Sequence, residues 1–228
     1  MAAEAIIEAR GLRRHYRRGA ETVKALDGVD LTIRRGEMVS ILGPSGSGKT
    51  TLINLLSCLD APTEGTLTVA GKPVAGLSED QLVEIRRGTL GFVFQQFHLL
   101  PTLTVTENVE LPLLFLGKKP DPARTREVLA LVGLAERATH LPSELSGGQM
   151  QRVAIARALI VASRILVADE PTGNLDKASG EAIFRLFRRL AAENGLTIII
   201  TTHNTAFGYE ADRVITLEDG KIVKEERP

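Results

Sequence analysis

A glycine-rich segment between an apolar run and a helical pattern has the residue types needed to bind phosphate. The run Met38–Leu42 is apolar, and leucines at 52, 55 and 56 have helical spacing. The segment fits G-x-x-x-x-G-K-T and comprises Gly43, Pro44, Ser45, Gly46, Ser47, Gly48, Lys49, Thr50 and Thr51. Its glycines let backbone N–H groups point at a phosphate, and the helix adds the positive end of its dipole. We predict that Lys49 reaches the β- and γ-phosphates and that Thr50 is a ligand of Mg²⁺.

Two adjacent carboxylates follow a second apolar run, Ile165–Ala168. Ligands of open α/β sheets bind at the carboxyl ends of the strands, so Asp169 and Glu170 are expected beside the glycine-rich segment 43–51, called here the phosphate loop. Neighbouring residues of a strand point in opposite directions, which suggests two roles. Asp169 would hold Mg²⁺, and Glu170 would face the water that attacks the γ-phosphate, as general base. Two acids after a strand otherwise often mark a turn or the start of a helix.

A second serine- and glycine-rich turn leads into a helix that continues to Ile160. It comprises Leu145, Ser146, Gly147, Gly148 and Gln149. Because a helix N-terminus favours anions, this turn is another anion site by geometry. One nucleotide already has a helix N-terminus under its phosphates, so the second site suggests a phosphate contact from the opposite side.

The elements that must position these residues follow from the apolar patterns. Strands are predicted at Ala5–Tyr16 and Val29–Ile33, both exposed, and at Gly65–Gly71, Leu90–Phe94, Ile165–Ala168 and Leu196–Ile200, with a terminal hairpin at Arg213–Lys224. Helices are predicted at Ser78–Arg87, which begins with a capping pattern, at Thr106–Leu116, interrupted at Pro112, and at Ala123–Val132 and Ser179–Asn194.

The expected fold class is α/β, a P-loop NTPase (RecA-like) core with a flanking antiparallel β subdomain and an inserted α-helical subdomain. Residues 1–228 would be one domain. Residues 1–96 and 161–228 would form the core with the antiparallel sheet, and residues 97–160, which have no strand pattern, the helical subdomain.

Composition excludes several classes of protein. Lysine plus arginine and aspartate plus glutamate are both 28, so no basic surface for nucleic acid is indicated, and the dense cluster Arg13, Arg14, Arg17 and Arg18 is interpreted as a solvated strand edge. The single cysteine, Cys58, excludes an intrachain disulfide and is expected to be a small buried hydrophobe. We expect no signal peptide and no membrane span, so that another chain would carry this one to a membrane.

These motifs together resemble those of the ATP-binding-cassette (ABC) ATPases. LSGGQ at 145–149 is similar to the family signature, GPSGSGKTT at 43–51 to the Walker A motif and ILVADE at 165–170 to the Walker B motif with its glutamate. Further matches in the expected order are the Q-loop glutamine (Gln95), the D-loop (Asn174, Leu175, Asp176), the switch histidine (His203) and the adenine-stacking aromatic (Tyr16). The resemblance covers essentially the whole chain. One departure is Asn204, where the family usually has aspartate after the histidine.

The resemblance implies ATP hydrolysis with ATP and Mg²⁺ as cofactors. Glu170, His203, Gln95 and Lys49 would be catalytic, with Gln95 also a metal ligand beside Thr50 and Asp169. Two such domains would form a head-to-tail homodimer, in which the signature of one completes the site of the other. The partner would be an integral membrane permease, which would place the chain at the cytoplasmic side of the membrane.

Within the family, two segments resemble the macrolide-export and lipoprotein-release branch: CLDAPTEG at 58–65 and GFVFQQFHLLPTLTVTENVELPL at 91–113. The permease contact is expected between Gln95 and about Leu116. This segment is more apolar than a solvent-exposed part of the helical subdomain needs to be, because it contains Phe97, Leu99, Leu100, Leu113 and Phe115. Some of these residues would form the core of the helical subdomain itself. Alternatives are a septal cell-division type that regulates cell-wall hydrolases and a soluble type acting on nucleic acid or the ribosome. The soluble type usually has two cassettes, a coiled-coil arm or zinc-binding cysteines, and none of these is present in the sequence.

Overall fold

Two β-sheets and seven α-helices make up the part of the chain that the computed structural model describes, residues 4–19 and 21–228 without the side chain of Arg18. The strands are β1 (Ala5–Arg18), β2 (Glu21–Arg34), β3 (Met38–Leu42), β4 (Glu64–Val69), β5 (Lys72–Pro73), β6 (Leu90–Val93), β7 (Ile165–Asp169), β8 (Thr197–Thr201), β9 (Arg213–Glu218) and β10 (Lys221–Glu226). The helices are α1 (Lys49–Leu56), α2 (Glu79–Arg86), α3 (Val105–Phe115), α4 (Pro122–Leu131), α5 (Gly147–Leu159), α6 (Lys177–Asn194) and α7 (Thr205–Gly208).

The larger sheet aligns the strand ends that the chemistry needs. Its order is β10-β9-β3-β8-β7-β6, with β9, β3, β8, β7 and β6 parallel and β10 antiparallel at one edge. Strands β3 and β8 are buried along their whole length, as expected for parallel strands covered on both faces. In register, Thr201 lies opposite Ile41 on one side and Asp169 on the other. The phosphate loop after β3 and the acids after β7 therefore share one edge of the sheet.

The smaller sheet is antiparallel, as predicted, with the order β2-β1-β4-β5. The prediction that its first two strands are exposed was wrong, because one face of each is buried. The inward-facing residues on β1 and β2 are Ile7, Ala9, Leu12, Val29, Leu31 and Ile33. They share a core with Leu52, Leu55 and Leu56 of α1, so this sheet holds the phosphate-loop helix against β3.

Residues 97–160 contain α3, α4, α5 and two short 3-10 turns, and no strand, which agrees with the predicted helical segment. Their core is not separate, since Val109 of α3 and Ile155 of α5 belong to the same buried cluster as Leu166 of β7. The predicted interruption of α3 at Pro112 was wrong: the helix continues through it to Phe115. Subdomain limits at 97 and 160 stay a prediction.

Local capping explains where two of the helices begin. Ser78 starts α2 with a capping box, in which the Ser78 N–H donates to Gln81 Oε1 at 2.9 Å. Thr104 starts α3 in the same way with Glu107. Hydrogen bonds from the Thr104 backbone and hydroxyl hold the pKa of Glu107 below its usual value, since they stabilise the carboxylate.

The only cysteine, Cys58, lies two residues after the end of α1 and is fully buried, which confirms the prediction of a small buried hydrophobe. Burial raises the pKa of the Cys58 thiol to about 12, so the thiol is neutral at physiological pH. The arginine cluster is partly paired: Arg13 contacts Asp27 and Glu64, and Arg14 contacts Asp60. Across residues 4–19 and 21–228, no helix is both long and apolar enough to cross a bilayer.

Candidate functional site

The loop between β3 and α1 depends on glycines at two close approaches. Gly48 caps α1 with φ of +102°, and a Cβ there would lie 2.5 Å from the Ala25 carbonyl oxygen. A Cβ on Gly43 would lie 2.2 Å from the Leu217 carbonyl oxygen. Any side chain would force the loop away from β2 and β9, so the glycines keep it tight around the start of α1.

Lys49 lies across the mouth of this loop. Its ammonium group donates hydrogen bonds to the carbonyl oxygens of Gly43 at 2.8 Å and Pro44 at 2.9 Å. These acceptors hold the cation where the loop's N–H groups and the positive end of α1 also lie. The arrangement concentrates positive potential in one place, as binding of a polyphosphate requires.

A cavity of about 600 Å³ opens in front of the loop and brings together most of the predicted site. It is lined by Val23, Lys24, Ala25, Ser45, Gly46, Gly48, Lys49, Thr50, Thr51, Gln95, Asp169, Glu170, His203, Asp219 and Gly220. Sequence reasoning missed the contributions from β2 and from the turn between β9 and β10. The Asp219-Gly220 turn was predicted as a turn, but nothing local indicates that the Gly220 N–H donates to the Ser47 carbonyl oxygen at 2.9 Å.

Thr201 is a buried residue that positions both acids and that sequence reasoning also missed. Its hydroxyl donates to Asp169 Oδ1 at 2.6 Å and accepts from the Glu170 N–H at 3.0 Å. Strand β7 ends at Asp169, and Glu170 has φ of +47°, so the strand alternation assumed from the sequence does not extend to Glu170. Both acids line the same cavity.

Replacing Thr201 by valine is expected to slow ATP hydrolysis at least about tenfold, because it removes the hydroxyl that orients both acids with little change of volume. Steady-state hydrolysis by the purified chain is the measurement. Thr197→Val is the matched control, since Thr197 is also fully buried on β8 but its hydroxyl accepts from the Gly36 N–H at the other end of the strand. Equal losses in the two variants would show that Thr201 acts only through stability.

Glu170 and His203 contact each other. Glu170 Oε2 lies 2.9 Å from His203 Nδ1, and the His203 N–H donates to the same oxygen at 3.4 Å. The Glu170 side chain is 18% exposed and that of His203 is 70% exposed, so a largely buried carboxylate contacts an imidazole that faces solvent. This geometry holds an acceptor and an imidazole together beside the phosphate loop, as general-base chemistry needs.

Gln95 reaches the cavity from the end of β6 and is held by the segment after Glu170. Asn174 Nδ2 donates to the Gln95 carbonyl oxygen at 3.1 Å. A Cβ on Gly173 would lie 2.7 Å from Gln95 Nε2, so a side chain at this position would displace the Gln95 amide. Asp176, in the same segment, caps α6, and hydrogen bonds from Ser179 lower the pKa of its carboxyl group.

The second turn predicted to bind an anion lies outside this cavity. Ser146 caps α5 through a capping box with Gln149: the Gln149 N–H donates to the serine hydroxyl at 3.3 Å, and the Ser146 N–H donates to Gln149 Oε1 at 2.8 Å. Cβ atoms on Gly147 and Gly148 would lie 3.3 Å from Leu175 and 3.0 Å from Ser179. None of residues 145–149, all of them described, lines the cavity around Lys49.

Tyr16 lies beside the cavity on β1, opposite Val23, which lines it. Its hydroxyl donates to Asp60 Oδ2 at 2.9 Å, and the Arg14 guanidinium lies 4.7 Å from the ring centroid. With one ring face next to Arg14, a stacked base would need the other. The stacking role stays a prediction.

The donor atoms around the loop fit Mg²⁺. The Thr50 hydroxyl, the Asp169 carboxylate and the Gln95 amide all belong to side chains that line the cavity and offer oxygen ligands. Hard divalent cations such as Mg²⁺ prefer oxygen ligands. In nucleotide sites the usual ligands of Mg²⁺ are one or two carboxylates together with the substrate phosphates.

A second cavity of about 600 Å³ forms an apolar groove between α2, β6 and α3, called here the α2–α3 groove. It is lined mainly by Val83, Phe92, Phe94, Leu111, Phe115 and Val161, with Arg86, Arg87 and Arg157 beside them. The apolar residues expected to contact the permease differ in exposure: Leu113 is buried, whereas Leu100 and Phe115 are 46% and 80% exposed. The groove is therefore partly uncovered at α3.

Comparison with known proteins gives one consistent result. The family described as ABC transporter matches residues 26–173. Curated relatives include the macrolide export ATP-binding/permease protein MacB of Rhodopseudomonas palustris (strain BisB18), 48% identical over 97% of this chain, and that of Salmonella typhimurium (strain LT2), 48% identical over 96%. This chain covers 34% of each of them, so it spans about a third of their length.

Solved structures agree. The dimeric post-hydrolysis state of the ATP-binding cassette MJ0796 bound to ADP and Pi is 44% identical, with a TM-score of 0.87 over 97% of this chain and 98% of that one. The structure of cbiO1 from Clostridium perfringens, part of the ABC transporter complex cbiONQ, is 28% identical, with a TM-score of 0.88 over 98% of this chain and 89% of that one.

Proposed function

Because the chain belongs to the ABC transporter family and is an ATP-binding ATPase of that family, we propose that two copies pair head to tail around two ATP–Mg²⁺ and drive a membrane permease. The permease would be of the macrolide-export or lipoprotein-release type and would hold the ATPase at the cytoplasmic side of the membrane. Support for the export type over the septal and soluble alternatives comes from the MacB relatives, whose names join an ATP-binding part and a permease.

The observation that carries the head-to-tail pairing is the separation of the two helix ends that are predicted to bind anions. The start of α1 lies in the cavity with Lys49, whereas the start of α5 at Ser146 lies outside it. A helix end that begins with glycines offers backbone N–H donors to an anion that its own chain does not deliver. A second copy would deliver it. In a two-fold symmetric pair, the start of α5 in each chain would face the start of α1 in the other chain. A relative solved as a dimer supports this arrangement.

In the proposed reaction, Glu170 accepts the proton of the attacking water and His203 contacts the γ-phosphate. The contact between them would keep the carboxylate in place until a nucleotide is bound. Lys49 would exchange its carbonyl partners for phosphate oxygens, and Gln95 would lie against the γ-phosphate. Mg²⁺, held by Thr50, Asp169 and Gln95, would neutralise charge on the phosphates.

Glu170→Gln is expected to keep ATP binding and stop hydrolysis, because it keeps the size of the side chain and removes the base. Two chains should then stay together around bound ATP. Sizing chromatography with ATP and Mg²⁺ is the measurement, and the same variant with ADP is the control that should remain monomeric. A variant that stays monomeric at saturating ATP and hydrolyses normally would contradict the role of Glu170.

The α2–α3 groove is the surface proposed to receive the permease. Its lining is apolar, and an exposed Phe115 at its edge costs hydration free energy unless something covers it. About two thirds of the length of the relatives lies beyond the part matched here, and they are named ATP-binding/permease proteins, which points to a permease segment as the occupant.

Phe115→Ser is expected to weaken co-purification with the permease at least about tenfold, because truncating a buried aromatic residue at the centre of an interface typically costs about 2 kcal/mol of binding free energy or more. Hydrolysis by the isolated chain should be unchanged. Leu114→Ser is the matched control: Leu114 is 63% exposed on the same helix but does not line the groove. Equal recovery of permease with both variants would rule out the groove as the docking surface.

A further inference from the structure

Helix α5 holds the main chain on both sides of Gln95. On one side, Gln151 Nε2 donates to the Phe94 carbonyl oxygen at 3.4 Å. On the other, the Arg157 guanidinium donates to Phe97 at 2.8 Å and to His98 at 2.6 Å, again to carbonyl oxygens. The residue that reaches into the nucleotide cavity is thus tied at each flank to a single helix.

Both donors are placed where their burial is costly. Gln151 is fully buried, and its Oε1 has no hydrogen-bond partner in the described part of the chain. Burial also lowers the pKa of the Arg157 guanidinium, which still remains charged at neutral pH. An apolar side chain would fill either position without this desolvation cost, so general packing does not account for them.

The same helix begins at the second anion-binding turn. Ser146 caps the start of α5, and Arg157 lies in its last turn, so the two residues are at opposite ends of one helix. A helix transmits a small displacement along its axis because its backbone hydrogen bonds resist stretching. A displacement of α5 along its axis would therefore carry the two donors with it, and three hydrogen bonds to carbonyl oxygens connect these donors to the loop that contains Gln95.

We propose that Gln151 and Arg157 are positioning residues for Gln95. Through them, the helix that offers Ser146 to a second copy of the chain also sets where Gln95 lies in its own site. The assignment rests on the proposed function, in which Gln95 contacts Mg²⁺ and the γ-phosphate. It makes α5 a direct link between the two nucleotide sites of the pair.

The test uses Arg157→Lys and Gln151→Met in the purified chain. Lysine keeps the positive charge but cannot bridge the Phe97 and His98 carbonyls with a planar fork. Methionine keeps the volume of Gln151 and removes its unpaired oxygen, so this second variant is expected to fold with an unchanged melting temperature. Arg152→Lys is the matched control, because Arg152 lies on the same helix and donates to the Val132 carbonyl oxygen at 3.1 Å, away from Gln95.

Each test variant should lower kcat about tenfold with KM for ATP within about twofold, because misplacement of Gln95 affects the reacting end of the nucleotide. The control should keep kcat within about twofold. In a chain that already carries Gln95→Ala, Arg157→Lys should cause no further loss, since both changes remove the same interaction.

Additive losses, or full kcat in both test variants while Gln95→Ala is slow, would overturn the positioning role and leave the proposed function intact. A Gln95→Ala chain with wild-type kcat would instead contradict the proposed role of Gln95, and the positioning role with it. If the losses of kcat parallel a fall in melting temperature and are equally large in Arg152→Lys, then Gln151 and Arg157 have only a structural role, and the inference is overturned.

Discussion

Lys49→Ala is expected to lower ATP hydrolysis by at least about a hundredfold, because it removes a preorganised positive charge from the place where charge develops on the transferred phosphoryl group. The Lys49 ammonium is already held at the loop by two carbonyl oxygens, so the positive charge is in place before phosphate oxygens replace them. The loss should appear in kcat and in ATP affinity together.

Steady-state hydrolysis and ATP binding by the purified variant are the measurements. Lys72→Ala is the matched control, since Lys72 is exposed on β5 in the antiparallel sheet and lines no part of the cavity. Circular dichroism and thermal unfolding should show the same fold in both variants. Near-normal turnover of Lys49→Ala would contradict the assignment of the phosphate loop.

Ser146→Arg is expected to abolish ATP-dependent pairing of chains while each chain still binds one ATP. The bulky side chain would stand at the start of α5, where the second copy's phosphate is proposed to lie, and it touches no residue of the Lys49 loop. Analytical ultracentrifugation with ATP in a Glu170→Gln background measures the pairing, and equilibrium binding of labelled ATP measures the site.

Loss of the N-cap must be separated from steric bulk, because Ser146 accepts a hydrogen bond from the Gln149 N–H. Ser146→Ala removes that cap, at a cost of about 1 kcal/mol of stability, without adding volume. It should pair far better than Ser146→Arg. Equal pairing in the arginine variant and the unchanged chain would show that the start of α5 is not in the interface.

The parts of the site that lie next to each other in the chain could be predicted from sequence. The loop 43–51 has a local reason for its glycines, and the run Ile165–Ala168 marks a buried strand with acids at its end. The general rule that parallel strands end at one edge then predicts that they meet, and the register of Ile41, Thr201 and Asp169 confirms it.

Contacts between distant segments could not be predicted in this way. Thr201 has no local signal, because its role depends on the pairing of β8 with β7. The contribution of Lys24 and Gly220 to the cavity depends on how the antiparallel sheet and the terminal hairpin pack over the loop. Glu170 departs from the strand alternation because it has a positive φ, and its N–H donates to Thr201 on the neighbouring strand, a contact between distant segments.

Helix and strand surfaces show the same limit. An alternating pattern on β1 and β2 does not tell whether another element covers the apolar face, and α1 covers it. Pro112 is a helix breaker in isolation, yet α3 continues through it because tertiary packing of Val109 and Leu113 outweighs the lost hydrogen bond.

The most direct test of the head-to-tail pair mixes Ser146→Arg chains with Lys49→Ala chains, both also carrying Glu170→Gln and each with a different tag. Every mixed pair has one site with both lesions and one with neither, because each site takes its loop and its α5 end from different chains. The measurement is ATP-dependent recovery of one tag with the other. The prediction is that the mixture pairs whereas neither variant pairs alone; a mixture that fails to pair while Glu170→Gln chains dimerise under the same conditions would contradict it.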